Sequence, residues 1–388
     1  MNGDVWVDGR LAATLMRVEA GVEFSYTEDY LERPGRAVAT TLPVTRDPVR
    51  TFAGALPPFF AGLLPEGRRL SVLRRSIKAS ADDELALLLA VGTNLVGNIQ
   101  VVPSGTVPPS LVDVDNSAHI DLDAPNLDLR NVFTEVGNPD AHGLAGIQEK
   151  ASGRTIAVPI GVGTIVKVSP PEFPRLVENE YSCLKAFASM KWGRGHVVDA
   201  KVIEDSRGMR ALVVRRFDSN GTVKYPVEDA SQLLGRYPAD KYEVSWEELT
   251  HGVLAVTTTP KLAARSLALQ LAFGWLSGNG DIHAKNISVV DYGRGFEVAP
   301  AYDLPSTVPY GDMTLALPVM GNREGLSRKR FLAYCESIGL AEKVANDVAT
   351  QALAATANLG AELVRACAFD ARRERDLLRV LRRRRQHW

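Results

Sequence analysis

The chain has 388 residues, a length that predicts two or three domains and enough material for a buried core. Hydrophobic residues make up 45% and charged residues 23%, as in ordinary globular proteins, and a formal net charge of −1 excludes any overall attraction to nucleic acid or an anionic membrane. The longest apolar run, LALLLAVG from Leu85 to Gly92, is less than half a membrane span, and MNGDVWVDGR sets an acid ahead of any apolar run, so a cytoplasmic protein without a membrane partner is expected.

Residues 1 to about 50 read as β-rich, because the apolar segments of VWVDGRLAATL flank Asp8-Gly9, a pair that favours hairpin turns. Helical spacing follows: Phe60, Leu63, Leu64, Leu70, Leu73 and Ile77 recur in PPFFAGLLPEGRRLSVLRRSIKAS, interrupted at Pro65, and DDELALLLAVG gives another helix. PSGTVPPS and the acidic DVDNSAHIDLD make the best linker. The expected divisions are an N-terminal subdomain over 1–105, a linker over 106–130, a strand-rich part over 131–240 and a helical part over 241–388.

Beyond the linker, TIAVPI, GTIVKVSP and ALVVRRFD read as strands and ENEYSCLKAFASM as a helix. SWEELTHGVLAV and KLAARSLALQLAFGWLSG are helical, and helices fill most of the C-terminal remainder. Strands first and helices later predict an α+β fold with its ligand site between two lobes. Cys183, Cys335 and Cys367 are far apart in apolar helical contexts, which predicts buried, reduced thiols.

GDIHAKNISV, Gly280 to Val289, gathers an acid, a histidine, a lysine and an amide directly after the longest helical segment. NISVVDYGRGFEVAPAYD then reads as two strands joined around Gly293 to Gly295, and a strand pair folding back on itself brings Asn286 near Asp303. A carboxylate and an amide oxygen facing one point suit Mg²⁺, which takes its other ligands from water and phosphate. Asp281, upstream, is left for other chemistry. The spacing of Asp281, Asn286 and the later Asp303 is similar to the phosphoryl-transfer site of protein kinases, although HRD and DFG triplets are absent. Lys167 in TIVKVSP resembles the strand lysine that neutralises ATP phosphates, and Glu178 or Glu180 in VENEY its acidic partner, with Glu180 the expected site residue.

Together FFAGLLPEG, GLAGIQEK, LVENEY, VVRRFD, GDIHAKN and AYDLPST, in this order along the chain, resemble the HipA family of serine/threonine kinases, toxins of toxin–antitoxin pairs. The resemblance implies a two-lobed, kinase-like (HipA-like) fold with a small β-rich N-terminal subdomain and a helical C-terminal lobe. It implies ATP and Mg²⁺ as cofactors, a HipB-like DNA-binding antitoxin as partner, operator DNA reached through it, and a translation factor or aminoacyl-tRNA synthetase as protein substrate. By the same resemblance Asp281 is the base, Asn286 and Asp303 hold Mg²⁺, and His283 and Lys285 support the loop or the transferred phosphoryl group. Lys167 meets the phosphates under a loop that includes Ala145, Gly146, Ile147, Gln148 and Lys150; Arg215 and Phe217 flank the adenine hinge, and Asp218 lies near the ribose. The family's autophosphorylated serine just before AGxQEK aligns with Gly143, which has no hydroxyl, so that route to inactivation is expected to be missing.

The tail from Asp370 carries eight arginines against three acids, which suits DNA phosphates, yet Leu377, Leu378 and Leu381 have the spacing of an amphipathic helix with a solvated basic face. A catalytically weak corepressor acting with the antitoxin is the alternative to an active kinase, and transfer to a small molecule is a third reading.

Overall fold

The computed structural model describes residues 2–19, 21–78, 80, 83–117, 120–135 and 155–388. Strands β1 (Asn2–Val7) and β2 (Arg10–Val18) form the hairpin expected around Asp8-Gly9, whose φ values of 49° and 77° lie in the left-handed region that these two residue types enter most readily. With β3 (Gly21–Tyr26), β4 (Val49–Phe52) and β5 (Ile99–Pro103) they make an antiparallel sheet in the order β4-β3-β2-β1-β5. Helices α1 (Glu28–Glu32), α2 (Pro58–Leu63), α3 (Gly67–Ile77) and α4 (Glu84–Val91) belong to this domain, with Pro65 between α2 and α3. Leu15, Phe24, Phe59, Phe60 and Leu88 are buried in its core.

The segment expected to be a plain linker contains helix α5 (Leu111–Ser117) and leads into α6 (Leu129–Glu135). Leu129, Val132 and Phe133 of α6 pack on a second sheet, and the Asp115 carboxylate accepts the Val162 N–H at 3.0 Å, so this stretch is docked onto the strand-rich lobe. The second sheet runs β6-β7-β9-β8, all antiparallel: β6 (Ile156–Ile160), β7 (Thr164–Val168), β8 (Ala200–Glu204) and β9 (Arg210–Arg215). Helix α7 (Leu176–Ala188) crosses between β7 and β8.

A third, short sheet joins the lobes: β10 (Val227–Asp229), β11 (Ser288–Val290) and β12 (Glu297–Val298), with β11 in the middle. Around it lie α8 (Ala230–Leu233), α9 (Trp246–Val256), α10 (Pro260–Ser277), α11 (Arg328–Ser337), α12 (Glu342–Ala355), α13 (Leu359–Cys367) and α14 (Ala371–Gln386). Every residue of α10 from Leu267 to Ser277 is buried, as expected of a helix that is apolar nearly all round. It is the axle of the C-terminal lobe. All three cysteines are buried free thiols. Leu377 and Leu381 bury one face of α14, as their spacing predicts, and among the described residues no helix is long and apolar enough to cross a membrane.

Candidate functional site

Helix α10 ends at Gly278, whose φ of 80° lets its N–H close onto the carbonyls of Gly274 and Trp275. The chain then passes Gly280, where a Cβ would stand 2.8 Å from the Thr307 hydroxyl and would also strike the Thr314 carbonyl, so glycine is needed for the close approach. The Gly280 N–H donates to Thr307 Oγ1 at 2.8 Å, and the Thr307 N–H donates to the Gly278 carbonyl at 2.8 Å. These bonds join the loop of Asp281 to the segment after Asp303. Within the loop, Asp281 N–H donates to Asn279 Oδ1 at 2.8 Å, and the Tyr242 hydroxyl donates to Asp281 Oδ1 at 3.1 Å.

The hairpin β11–β12, with Val289 opposite Val298, brings its open ends together as the sequence predicts: Asn286 Nδ2 donates to Asp303 Oδ2 at 3.0 Å. The Asn286 amide oxygen accepts the His283 N–H at 3.1 Å and retains a second lone pair. Asp303 itself has φ 55°, a conformation unusual for a residue with a Cβ, and such outliers cluster where function over-determines the backbone. Pairing of Ala301 with Val197, plus the Ala301 N–H donated to His196 O at 2.8 Å, fixes the strand end from which Asp303 projects.

Lys167, on central strand β7, reaches across to both acids: its ammonium donates to Glu180 Oε1 at 2.8 Å and to Asp303 Oδ1 at 3.2 Å. The Glu178 or Glu180 alternative is thereby resolved, since Glu178 instead pairs with Arg175 at 2.8 Å. Burial alone would depress the Lys167 pKa, but Asp303 and Glu180 outweigh it and hold the ammonium charged. For Asp303, burial pushes upward and the Lys167 charge and hydrogen bond pull harder, leaving its carboxyl below the ordinary range. Glu180, only 1% exposed, is held above its ordinary range by burial, with Lys167 pulling against it.

The site's donors fit Mg²⁺: the Asp303 carboxylate is held by the Asn286 amide nitrogen, the Asn286 amide oxygen keeps one lone pair beyond the His283 N–H, and among the described residues no cluster of three or more acids, histidines or cysteines offers a fuller cage. That count suits a hard cation that draws its remaining ligands from water and phosphate. Ala145, Gly146, Ile147, Gln148 and Lys150, with Gly143, lie outside the described residues.

Other predicted residues take different positions from those expected. Asp218 is 3% exposed, and both its oxygens are engaged by Arg216, at 2.8 and 2.6 Å, and by the Gly97 N–H at 2.9 Å. The expected ribose contact therefore gives way to a buried ion pair that ties the second lobe to the N-terminal domain. The N–H of Arg215 and that of Arg216 donate to Asp199 and Gly163 carbonyls at 2.8 Å, while Phe217 stacks on Tyr302 with ring centres 5.6 Å apart. His283 is buried edge-on to Tyr242, and burial, helped by the charge of Lys241, pushes its pKa down to about 3. It is a neutral ring at working pH. Lys285 reaches Gly62 O at 2.6 Å, Glu66 Oε1 at 3.1 Å and Asp229 Oδ2 at 3.6 Å, contacts that suit the first of its two expected roles, support of the loop, and not the one beside the transferred phosphoryl group.

Two residues that position the site were not singled out from the sequence. Asn179 joins α7 to the segment after Asp303 by giving its amide proton to Ser306 O at 2.9 Å and accepting the Ser306 N–H at 2.8 Å. Its position inside LVENEY was the available signal. Tyr242 had none, because nothing local links KYEVS to a loop 39 positions away.

A strand lysine paired with a helix glutamate, set over an Asp-to-Asn loop and a later Asp, defines a two-lobed, kinase-like protein. Residues 142–359 match the HipA-like C-terminal domain and residues 3–102 the HipA N-terminal domain, so the chain belongs to the HipA family. It is 29% identical over 381 residues to Sinorhizobium fredii Y4dM, a protein provisionally named a kinase, covering 90% of this chain and 88% of that one. It is 26% identical over 349 residues to the serine/threonine-protein kinase toxin HipA of Shewanella oneidensis, covering 81% and 78% respectively. The fold is shared with Shewanella oneidensis HipA solved in complex with HipB and operator DNA, at TM-score 0.74 and 19% identity over 99% of this chain and 96% of that one.

Proposed function

We propose that this HipA-family protein is an ATP-dependent serine/threonine kinase and the toxin of a toxin–antitoxin pair. The observation that carries the reading is the Lys167 ammonium held between Glu180 and Asp303, with Asn286 on the other Asp303 oxygen. Lys167, kept charged, neutralises nucleotide phosphate; Asn286 and Asp303 hold Mg²⁺, which when bound offsets the negative charge of the phosphates. Asp281, oriented by Tyr242 and Asn279, accepts the proton of the acceptor hydroxyl as that oxygen attacks the terminal phosphorus and ADP leaves. Neutral His283 adds no competing charge beside Asp303.

By kinship with the Shewanella protein, the partner is a DNA-binding antitoxin and the complex sits on operator DNA. The acceptor class follows from the family alone: a protein of translation such as an aminoacyl-tRNA synthetase. The test is incubation of purified protein with γ-labelled ATP and a cell lysate. Wild type labels a protein band, Asp281→Ala loses about 10²–10⁴-fold of that rate, and Asp303→Ala abolishes the thermal stabilisation by Mg·ATP that Asp281→Ala retains. Comparable labelling by Asp281→Ala removes the base assignment; stabilisation by Mg·ATP without labelling in wild type favours the corepressor reading.

A further inference from the structure

Helix α3 begins beside the catalytic loop, although it belongs to the N-terminal domain. Glu66, its N-cap residue, pairs with two lysines of the other lobe: Lys241, in close contact, and Lys285 at 3.1 Å. Lys285 also reaches Gly62 O at 2.6 Å and Asp229 at 3.6 Å, so its three donors face these groups and not a nucleotide. The lysine side chains are only 5% and 14% exposed, which makes two positive and two negative charges a nearly enclosed, balanced set.

Both lysines lead straight to the reacting groups. The Lys241 carbonyl accepts the Ala284 N–H at 3.2 Å, and its neighbour Tyr242 donates to Asp281 at 3.1 Å. Lys285 immediately precedes Asn286, and its carbonyl accepts the Tyr302 hydroxyl at 2.8 Å. The same domain contact is closed by Gln232 Nε2 donating to Phe59 O at 2.8 Å, with Gly62 packed so near that a Cβ would stand 2.9 Å from the Gln232 side chain.

We propose that Glu66 is a positioning residue for the catalytic loop: by holding Lys241 and Lys285, the N-terminal domain sets where Asp281 and Asn286 stand. Displacing that domain releases the loop, so a partner that pulls on it acts on phosphoryl transfer from a distance. The kinetic part of this inference rests on the kinase reading; the structural part does not.

The test compares full-length wild type, Glu66→Gln and a control, Glu28→Gln, which removes a pair with Arg46 on the exposed surface of the same domain. Hydrogen exchange in the peptide spanning Asp281 to Ile287 is expected to quicken about tenfold in Glu66→Gln, with β7 unchanged and the control like wild type. Turnover is expected to fall by about 10²-fold, with a smaller loss of Mg·ATP affinity, about tenfold or less, because Asn286 shifts with the loop while Lys167 and Asp303 are untouched. Should Glu66→Gln fail to fold, Glu66→Asp keeps the charge but shortens the reach and is read by the same two measurements. Loop exchange equal to the control overturns the proposal. If wild type transfers no phosphate at all, the kinase reading fails and the exchange measurement still decides the brace.

Discussion

Replacing Lys167 with methionine keeps the length of the side chain and removes its charge, leaving Glu180 at 1% exposure without a counter-ion. Losing one partner of a buried pair costs about 3–5 kcal/mol. Here the lower end applies, about 3 kcal/mol, because Lys167 is 13% and Asp303 38% exposed and water screens part of the set. For a chain of 388 residues, whose unfolding entropy is about 0.8 kcal/mol/K, that is a fall in Tm of roughly 4 °C at pH 7.5. The sign of the pH dependence is decisive. Without Lys167 the Glu180 carboxyl, already above its ordinary range through burial, rises further, so the folded variant takes up a proton that the unfolded chain, at about 4.3, does not. The deficit relative to wild type therefore shrinks as pH falls from 7.5 towards 5.5. Thermal denaturation of both proteins at the two pH values, without nucleotide, measures it. A Tm difference below about 1 °C at pH 7.5, or one that grows on acidification, refutes the charge argument.

His283 has a native pKa of about 3 against about 6.5 unfolded, so the unfolded chain binds the extra proton between these values and native stability drops as pH falls through that window. His283→Gln removes this contribution, and its Tm relative to wild type should be higher at pH 4.5 than at pH 7.5; equal differences at both refute it. Gly280→Ala forces a Cβ against Thr307 and Thr314 and should cost about 1–3 kcal/mol in thermal denaturation while slowing phosphoryl transfer; an unchanged Tm excludes the clash. Arg384 is buried in α14, donates to Trp275 O and Met313 O at 2.6 Å and lies 3.9 Å from the Trp275 ring centre. Arg384→Ala should destabilise by about 3 kcal/mol, whereas exposed Arg383→Ala should leave Tm within about 1 °C; equal effects would mean that the tail is not pinned through Arg384.

Features set by neighbouring residues were legible in the sequence. Asp8-Gly9 favours a tight hairpin by its own backbone preferences, and the apolar density of Lys261 to Gly278 specifies a buried helix ended by glycine. The close approach of Asn286 and Asp303 follows because a hairpin is a local object whose two ends must meet. Strand β8 was missed, since its partly exposed, mixed sequence AKVIE becomes a strand through pairing with β9. Tertiary structure alone decided which acid Lys167 meets, that Asp218 is buried against the Gly97 N–H, and that Lys285 turns to Glu66. Propensity and periodicity act over a few residues. A buried charge takes the partner that packing of distant segments brings within hydrogen-bond reach, and for Lys285 that partner lies in another domain.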